Sequence, residues 1–317
     1  MFQRTALTLL LLGTSTAFAA SRDLFVSSEG THSVKRYDGQ TGAYLGDFVT
    51  SGSGGLGSPQ GIAFGPDGNL YVSSAGDNQV KKYDGRTGAF MGNVMTGTTI
   101  IFPGDISFMG NRMFVSSFND PGRVAVGDVS AGAFSFNLTG TSNAPLADGM
   151  VLDLAHDQFF VSTATFNGST YDGAIQRYRY STGAYLGIFA NTGLGIALDL
   201  RIGDGGDLFV NAFRQGAVKR FDGVTGAFEG DFITGLVRTQ GQEIAPDGSL
   251  LVGDYASSLI NRYSATTGTL LGSFVTAGSG GLAQPNNFTF APVPEPASFM
   301  VLGGLLVPIL RRRRLNR

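Results

Sequence analysis

The stretch Pro59-Gln-Gly-Ile-Ala-Phe-Gly-Pro-Asp-Gly-Asn-Leu-Tyr-Val72 contains two short apolar runs on either side of a turn. Pro66, Asp67 and Gly68 are typical turn residues, and the second run is rich in β-branched and aromatic residues. We therefore predict a strand, a turn and a second strand. The second run recurs along the chain at intervals of 42 to 49 residues. Its central valines are Val26, Val72, Val115, Val161, Val210 and Val252.

A second motif follows the first within each repeat. In the first repeat it reads Lys35-Arg-Tyr-Asp-Gly39, followed by Thr41-Gly-Ala-Tyr44, and the third repeat keeps only Ala131-Gly-Ala133. The Asp-Gly and Thr-Gly pairs predict a loop with positive φ between a third and a fourth strand. Four strands in a period of about 40 to 50 residues are typical of a β-propeller blade.

The repeats also predict how the ring closes. The first repeat begins at its second strand, at Leu24, whereas residues 285–291 match the first strand at residues 59–64. We therefore predict that the last strand completes the first blade, which removes exposed sheet edges. The predicted fold class is all-β, with one six-bladed β-propeller of four-stranded blades spanning residues 20–292.

The pattern of residues 59–72 resembles that of the NHL and streptogramin-lyase-like group of six-bladed propellers, and the resemblance covers about residues 21–292. It implies an architecture and not one chemistry, because the group includes ligand-binding modules, lactonases, lyases and interaction scaffolds. The lactonases use a ring of Glu, Asn and Asp side chains around a divalent ion. The lyases need a histidine near a metal-binding acid, and no residue here matches that pattern.

Residues 293–317 have the three parts of a sorting signal. Pro294, Glu295 and Pro296 interrupt regular structure, and the apolar run at 299–310 is short for a membrane span. The following arginines, which resist translocation, are Arg311, Arg312, Arg313 and Arg314. This end resembles the PEP-CTERM sorting signal of Gram-negative bacteria, which implies cleavage by an exosortase-like transpeptidase. The alternative is a C-terminal anchor that is never cut.

Residues 1–19 read as a secretory signal peptide. Arg4 supplies the positive segment, residues 6–12 the apolar segment, and Ala17 and Ala19 the small residues before a cleavage site. Together the two ends predict export across the inner membrane of a Gram-negative bacterium, with signal peptidase as one partner. The protein would be transiently anchored in the membrane and then reach the cell surface or the extracellular space.

The composition agrees with export and excludes some functions. The chain has no cysteine, so it has neither disulfides nor thiolate chemistry. Without residues 1–19 and 293–317, the chain keeps 16 basic and 23 acidic residues, a net charge of −7. Nucleic acids and anionic membranes are bound by basic surfaces, so we expect neither as a partner.

The candidate site lies where the first strand of each blade would line the central channel. The polar residues there are Gln60, Asp105, Asp148, Gln242, Glu243, Asn286 and Asn287. Oxygen ligands suit Ca²⁺ or Mg²⁺, so Asp105, Asp148, Glu243 and Asn286 are the candidate metal ligands. The alternative is that these side chains only hydrate the mouth of a narrow channel.

The other polar features predict less. His32 and His156 fall in turns on opposite faces of the propeller, so they cannot act together. The basic pairs Lys35-Arg36, Lys81-Lys82 and Lys219-Arg220 could form a ladder for an acidic polysaccharide, or be surface charge with packed stems. Residues 203–207 lack the spacing of a calcium loop, and we interpret them as a turn.

Two function classes follow from the sequence. The first is an exported binding or structural module of the cell envelope or extracellular matrix, whose partner is an extracellular polysaccharide or another envelope protein. The second is a divalent-metal lactonase, other hydrolase or lyase acting at the channel mouth.

Overall fold

The computed structural model describes residues 22–94, 100–119, 123–129, 133–137 and 146–292. The predicted signal peptide, residues 1–19, and the predicted sorting signal, residues 293–317, lie outside these ranges. Within the described ranges, no helix is both long enough and apolar enough to cross a membrane.

The described residues form 24 strands, arranged as six antiparallel sheets of four strands each. Blade I contains β1 (Leu24–Ser28), β2 (Ser33–Tyr37) and β3 (Tyr44–Val49). Blade II contains β4 (Pro59–Phe64), β5 (Leu70–Ser74), β6 (Gln79–Tyr83) and β7 (Phe90–Asn93). Blade III contains β8 (Pro103–Met109), β9 (Arg112–Ser117), β10 (Arg123–Asp128) and β11 (Ala133–Asn137).

The second half of the chain continues the same order. Blade IV contains β12 (Met150–Asp153), β13 (Gln158–Phe166), β14 (Tyr171–Arg179) and β15 (Tyr185–Ala190). Blade V contains β16 (Ala197–Ile202), β17 (Leu208–Ala212), β18 (Ala217–Phe221) and β19 (Phe228–Ile233). Blade VI contains β20 (Thr239–Ile244), β21 (Leu250–Asp254), β22 (Leu259–Tyr263) and β23 (Leu270–Val275), and β24 (Pro285–Phe290) returns to blade I.

Short 3₁₀ turns occupy several of the loops between these strands. Within the described ranges they are Glu29–Thr31, Ser53–Gly55, Leu154–His156, Phe213–Gln215 and Ser279–Gly281.

The inner strands β4, β8, β12, β16, β20 and β24 contact one another in a closed ring around the central axis. This arrangement confirms the predicted six-bladed propeller of four-stranded blades. The degenerate third repeat also forms four strands, as predicted, although it keeps only part of the second motif.

The last strand completes the first blade, as predicted. In β24, Phe290 pairs with Leu24 and Phe288 pairs with Val26, both in β1. Beyond the strand, the Ala291 N–H donates a hydrogen bond to the Asp23 carbonyl at 2.9 Å. The two ends of the described body therefore lie side by side.

The repeated valines form the core between blades. All six are fully buried, and every residue of β1, β5, β17 and β21 is buried. Between blades I and II, Val34 and Val49 pack with Ile62 and Val72. Full burial of one such side chain stabilises a protein by about 1.5–3 kcal/mol, so these contacts dominate blade packing.

The Asp-Gly-X-Thr-Gly motif forms a tight turn between the third and fourth strands. Asp38 Oδ1 accepts hydrogen bonds from the Thr41 N–H at 2.8 Å and the Thr41 hydroxyl at 2.7 Å. Gly42 has φ +72°, as the predicted loop requires. A Cβ on Gly39 would overlap the Arg22 carbonyl oxygen. The motif therefore serves to form a tight turn that packs closely against neighbouring backbone.

The meander of each blade creates two distinct faces. On the upper face lie the loops between second and third strands and the connections from blade to blade. On the lower face lie the turns between first and second strands and between third and fourth strands. The described ends, Arg22 and Pro292, are on the lower face, where β1 begins and β24 ends.

Candidate functional site

Around the channel axis the inner strands contribute a ring of six equivalent positions that we call the central ring. In each inner strand one residue pairs with the repeated valine of the next strand, as Ile62 pairs with Val72. The residue just before it is the member of the central ring, which in this blade is Gly61. The central ring consists of Gly61, Asp105, Gly149, Asp199, Gly241 and Asn287. Glycine therefore alternates with an acidic or amide residue around the axis.

The alternation has a steric cause. A Cβ on Gly61 would overlap the Gly104 carbonyl oxygen, and one on Gly149 would overlap the Leu198 carbonyl oxygen. The glycine strands thus let the backbone of the neighbouring blade approach closely. Side chains can enter the central ring only from blades I, III and V.

The acidic side chains of the central ring join neighbouring blades. Asp105 accepts hydrogen bonds from the Ile106 N–H of its own strand at 2.8 Å and from the Met150 N–H of blade IV at 3.1 Å. Asp199 repeats this pattern with Leu200 at 2.8 Å and with Gln242 of blade VI at 2.7 Å. These two carboxylates therefore link neighbouring inner strands through hydrogen bonds.

The charge of the central ring is only partly balanced. Burial, together with the nearby charge of Asp199, raises the pKa of Asp105 to about 7, although Arg201 opposes this shift. Arg201 binds Asp199 at 2.8 Å and Glu243 at 3.3 Å, towards the lower face. The space inside the central ring is about 10 Å³, which barely admits one water molecule.

Above the central ring, the upper face opens into a hollow of about 280 Å³ that we call the mouth cavity. All six blades contribute to it, through their inner strands and the upper-face loops and strand ends. Its wall is largely aromatic and aliphatic, and its floor is polar. The wall contains Phe102, Phe118, Tyr171, Ile196, Leu198, Phe213, Arg214 and Tyr255, and the floor contains Glu29, Gln60, Asp148 and Gln240.

Asp148 is the least satisfied group of the floor. Its carboxylate makes no hydrogen bond with the residues that the structure describes, although its backbone carbonyl accepts one from the Ser116 hydroxyl. Burial first, and then the charges of Asp105, Asp199 and Glu29, raise its pKa to about 8. An unpartnered acid in such a place favours a ligand that donates hydrogen bonds or carries positive charge.

The rest of the floor is held by its own hydrogen bonds. Asn286 Nδ2 donates to Glu29 Oε2 at 3.0 Å and also to Gln60 Oε1. The Ser58 hydroxyl donates to Glu29 Oε1 at 2.9 Å. Burial and Glu29 together raise the pKa of Tyr255 to about 12, so this phenol keeps its proton.

We call Arg214, which lines the mouth cavity, and Arg238, which lies against the wall residue Phe213, the rim arginines. The Arg214 guanidinium lies 5.3 Å from the centre of the Tyr171 ring, and the Arg238 guanidinium lies 5.5 Å from the centre of the Phe213 ring. Neither forms an ion pair with a carboxylate of the described residues. Both arginines instead stack on the aromatic wall.

The predicted site residues occupy three levels of the channel. Gln60, Asp148 and Asn286 surround the floor of the mouth cavity, and Asp105 and Asn287 lie in the central ring. Glu243 lies towards the lower face beside Arg201. The four candidate metal ligands are therefore spread along the axis and do not converge on one point.

Gln242 lies outside the channel, contrary to the prediction. Its side-chain nitrogen donates to the carbonyls of Asp199 and Phe209, both at 3.0 Å, within the wall between blades V and VI. The pairing register of β20 shifts between Thr239 and Gln242, and this bulge places Gln240 in the channel instead. The sequence reasoning also missed Asp199, although the repeat aligns it with Asp105.

One compact acidic group lies outside the channel. Within the described ranges, the oxygen atoms of Asp207, Asp222 and Glu229 lie within 4.8 Å of one another. Arg220 already binds Asp207 at 2.5 Å and Glu229 at 2.7 Å, so the group is an ion-pair network. The Gly203 N–H donates to the Asp207 carbonyl at 2.9 Å, which confirms the predicted turn.

The basic pairs on the third strands do not form a free basic ladder. Lys35, Lys81 and Lys219 are buried, and each binds a carboxylate. Their partners are Asp47 at 2.8 Å, Asp77 at 2.6 Å and Asp231 at 2.6 Å. The second residues of the pairs, Arg36, Lys82 and Arg220, bind Asp23, Asp67 and Asp207. The pairs thus stabilise the blades.

The two histidines lie on opposite faces, as predicted. His32 is in the upper loop of blade I, where its Nδ1 accepts the Ser58 N–H at 2.9 Å. His156 is in the lower turn between β12 and β13, where its Nδ1 lies 2.8 Å from Asp153. Neither lines the mouth cavity.

Comparisons with known proteins identify the fold. No family model matches the chain, and no curated protein matches it. A chain from the crystal structure of a nidogen/laminin complex superposes with a TM-score of 0.70 and 12% identity, covering 86% of this chain and 98% of that one. The WD40 β-propeller domain of Doa1 superposes with a TM-score of 0.57 and 14% identity, covering 80% and 79%. These likenesses establish a β-propeller.

Proposed function

We propose that this protein is an exported binding module that holds its ligand in the mouth cavity of the upper face. The observation that carries the proposal is the aromatic wall around a polar floor in which the Asp148 carboxylate lacks a partner. Binding pockets commonly combine apolar walls with a few polar groups that fix the orientation of the ligand.

We also propose that residues 1–19 are removed by signal peptidase, and that residues 293–317 form a PEP-CTERM signal cut by an exosortase-like enzyme. The position of the described C-terminal end supports this arrangement, because Pro292 leaves the lower face while the mouth cavity opens on the upper face. A membrane segment after Pro292 would leave the cavity facing away from the bilayer. The protein would then act at the cell surface or in the extracellular matrix.

The partner would be an extracellular polysaccharide or another envelope protein that inserts a group into the cavity. The nidogen/laminin structure gives a precedent for a chain of this shape in a complex with another protein. Aromatic rings such as Tyr171 and Phe213 suit either the faces of sugar rings or apolar side chains.

A second candidate is a lactonase, other hydrolase or lyase assisted by Ca²⁺ or Mg²⁺ at the channel mouth. Its support is the pKa of Asp148, which at about 8 suits a general acid or base near neutral pH. Asp148 and Glu29 would supply oxygen ligands at the floor of the mouth cavity. We place this candidate second because Asp105 and Asn286 are already engaged in hydrogen bonds.

Filling the mouth cavity tests the proposed function. The Leu198→Trp variant adds bulk to the wall of the mouth cavity, and the matched control Leu152→Trp adds the same bulk to the cavity on the lower face. Glycans, small polar molecules and envelope extracts would be screened by thermal shift. We expect stabilising ligands to act on the wild type and the control but not on Leu198→Trp. Equal loss in both variants would contradict a site on the upper face.

A further inference from the structure

The upper half of the channel carries negative charge that no ion pair among the described residues balances, although Arg214 lines the wall. Arg201 is bound to Asp199 and Glu243, which leaves Glu29, Asp105 and Asp148 without an ion pair among the described residues. Glu29 and Asp105 are nevertheless hydrogen-bonded by neighbouring N–H and O–H groups. The carboxylate of Asp148 has neither kind of partner within the described ranges.

Hydrogen bonds hold the backbone of Asp148 between blades III and IV. The Asp148 N–H donates to the Ser162 carbonyl at 3.1 Å, and its own carbonyl accepts the Ser116 hydroxyl. A Cβ on Gly104 would lie 2.6 Å from Asp148 Oδ1, so glycine at position 104 leaves space beside the carboxylate. The backbone thus places the carboxylate at the floor of the mouth cavity.

The wall above it suits an apolar cation. Phe102 and Phe118 have ring centres 6.1 Å apart, and Phe213 and Tyr255 have ring centres 5.8 Å apart, edge to face. Aromatic faces attract cations and also cover apolar groups. A hydrated metal ion gains little from such a wall, whereas an ammonium group on a hydrocarbon body matches both the wall and the floor.

We propose that the mouth cavity binds an organic primary ammonium ion with a compact apolar body, such as the end of an aminoalkyl chain. This inference rests on the proposed function, since it names the ligand class for the same cavity. The ammonium group donates to Asp148, with Glu29 and the Gln240 amide beside it, and the body packs against the aromatic wall. The rim arginines Arg214 and Arg238 disfavour a second positive charge on the outer end of the ligand.

The absence of tryptophan from the chain provides a clean assay. The full chain with Phe118→Trp has a single tryptophan, in the wall of the mouth cavity. Its fluorescence would be titrated with cyclohexylamine, with the uncharged isostere cyclohexanol and with CaCl₂. We expect the amine to bind at least about tenfold more tightly than the alcohol, because charge-assisted hydrogen bonds are stronger. Asp148→Asn should abolish this preference, and Glu243→Gln on the lower side should keep it.

Each other outcome has a defined meaning. Equal binding of amine and alcohol would overturn the ammonium inference but keep the cavity as a binding site. A response to CaCl₂ alone that depends on Asp148 would overturn it in favour of the metal-dependent candidate. No response to any probe at pH 8.5, with the fold intact by circular dichroism, would overturn the inference and count against the proposed function.

Discussion

Asn287 donates a hydrogen bond from its side-chain nitrogen to Asp105 Oδ1, 3.1 Å away, and so joins blade I to blade III across the central ring. Asn287 occupies the position that aspartate holds in blades III and V. An amide there supplies a donor where a third carboxylate would add repulsion. The Asn287 amide therefore stabilises the central ring, which contains the two buried acids Asp105 and Asp199.

Replacing this amide with an acid should weaken the fold. We expect Asn287→Asp to lower the free energy of unfolding by about 1–3 kcal/mol at pH 8, because Asp105 loses a donor and gains a like charge. Urea denaturation followed by circular dichroism measures the effect. The loss should shrink at pH 5, where one of the carboxyls is protonated. An equal loss at both pH values would show that charge is not the cause.

The channel acids Asp105 and Asp148 should make the body more stable in mild acid than at pH 8. The pKa values of Asp148 and Asp105, about 8 and about 7, lie above their unfolded values. The native state therefore holds extra protons, and its stability falls as the pH rises from about 4 towards 8. Asp148→Asn should flatten this slope, whereas Asp222→Asn, at an exposed turn, should not. Unfolding midpoints of the wild type and both variants, measured between pH 5 and 8.5, test this prediction.

The glycines of the central ring should not tolerate a side chain. Gly61→Ala places a methyl group on the Gly104 carbonyl, and overpacking of this kind typically costs about 1–3 kcal/mol. Gly205→Ala is the matched control, because its Cβ would meet only Asp207 Oδ2 at 4.0 Å. Thermal unfolding of both variants compares them. A Gly61→Ala protein as stable as the control would mean that the inner strands can move apart freely.

The closing strand should be essential for the whole body. Deleting residues 285–317 removes β24 and leaves Phe25 and Val26 without their inner partners. We expect a large loss of stability in every blade, seen as a lower and broader melting transition. A chain that ends at residue 292 serves as the control and should melt like the full chain. Local fraying of blade I alone would contradict a cooperative ring.

Both ends of the precursor should be absent from the mature protein. Mass spectrometry of protein from its native host should find an N-terminus near Ala20 and no peptide from Phe299 onward. Glu295→Ala should leave the precursor uncut and in the membrane fraction. A mature protein that retains Arg317 would show a plain anchor instead of a sorting signal.

The architecture could be predicted from the sequence because each repeated residue has a single structural role. Val26, Val72 and their equivalents are buried core positions, and the Asp-Gly-X-Thr-Gly turn requires positive φ and close packing. The site was only partly predictable. Asp105, Asp148 and Asn287 could be placed in the channel because they lie in, or just before, the upper half of inner strands, but Gln242 was misplaced because a bulge breaks the two-residue alternation.

The mouth cavity could not be derived from one repeat. Its wall residues Phe102, Tyr171 and Phe213 come from upper-face loops and a strand end of different blades, which share no motif. Which loops face one another depends on how the ring closes, and this is a property of the whole chain. The alternation of glycine with Asp105, Asp199 and Asn287 was visible only after the strand registers aligned the repeats.

The pairing of β1 with β24 has a consequence for the order of events during synthesis. The Ser28 hydroxyl donates to the Ala283 carbonyl, 255 residues further along the chain. Contacts between residues so distant in sequence form late and slow down folding. Until β24 arrives, β1 presents an open edge on which another chain could add a strand. The blade that emerges first is therefore the last to be completed, and a chaperone would be needed most at residues 24–28.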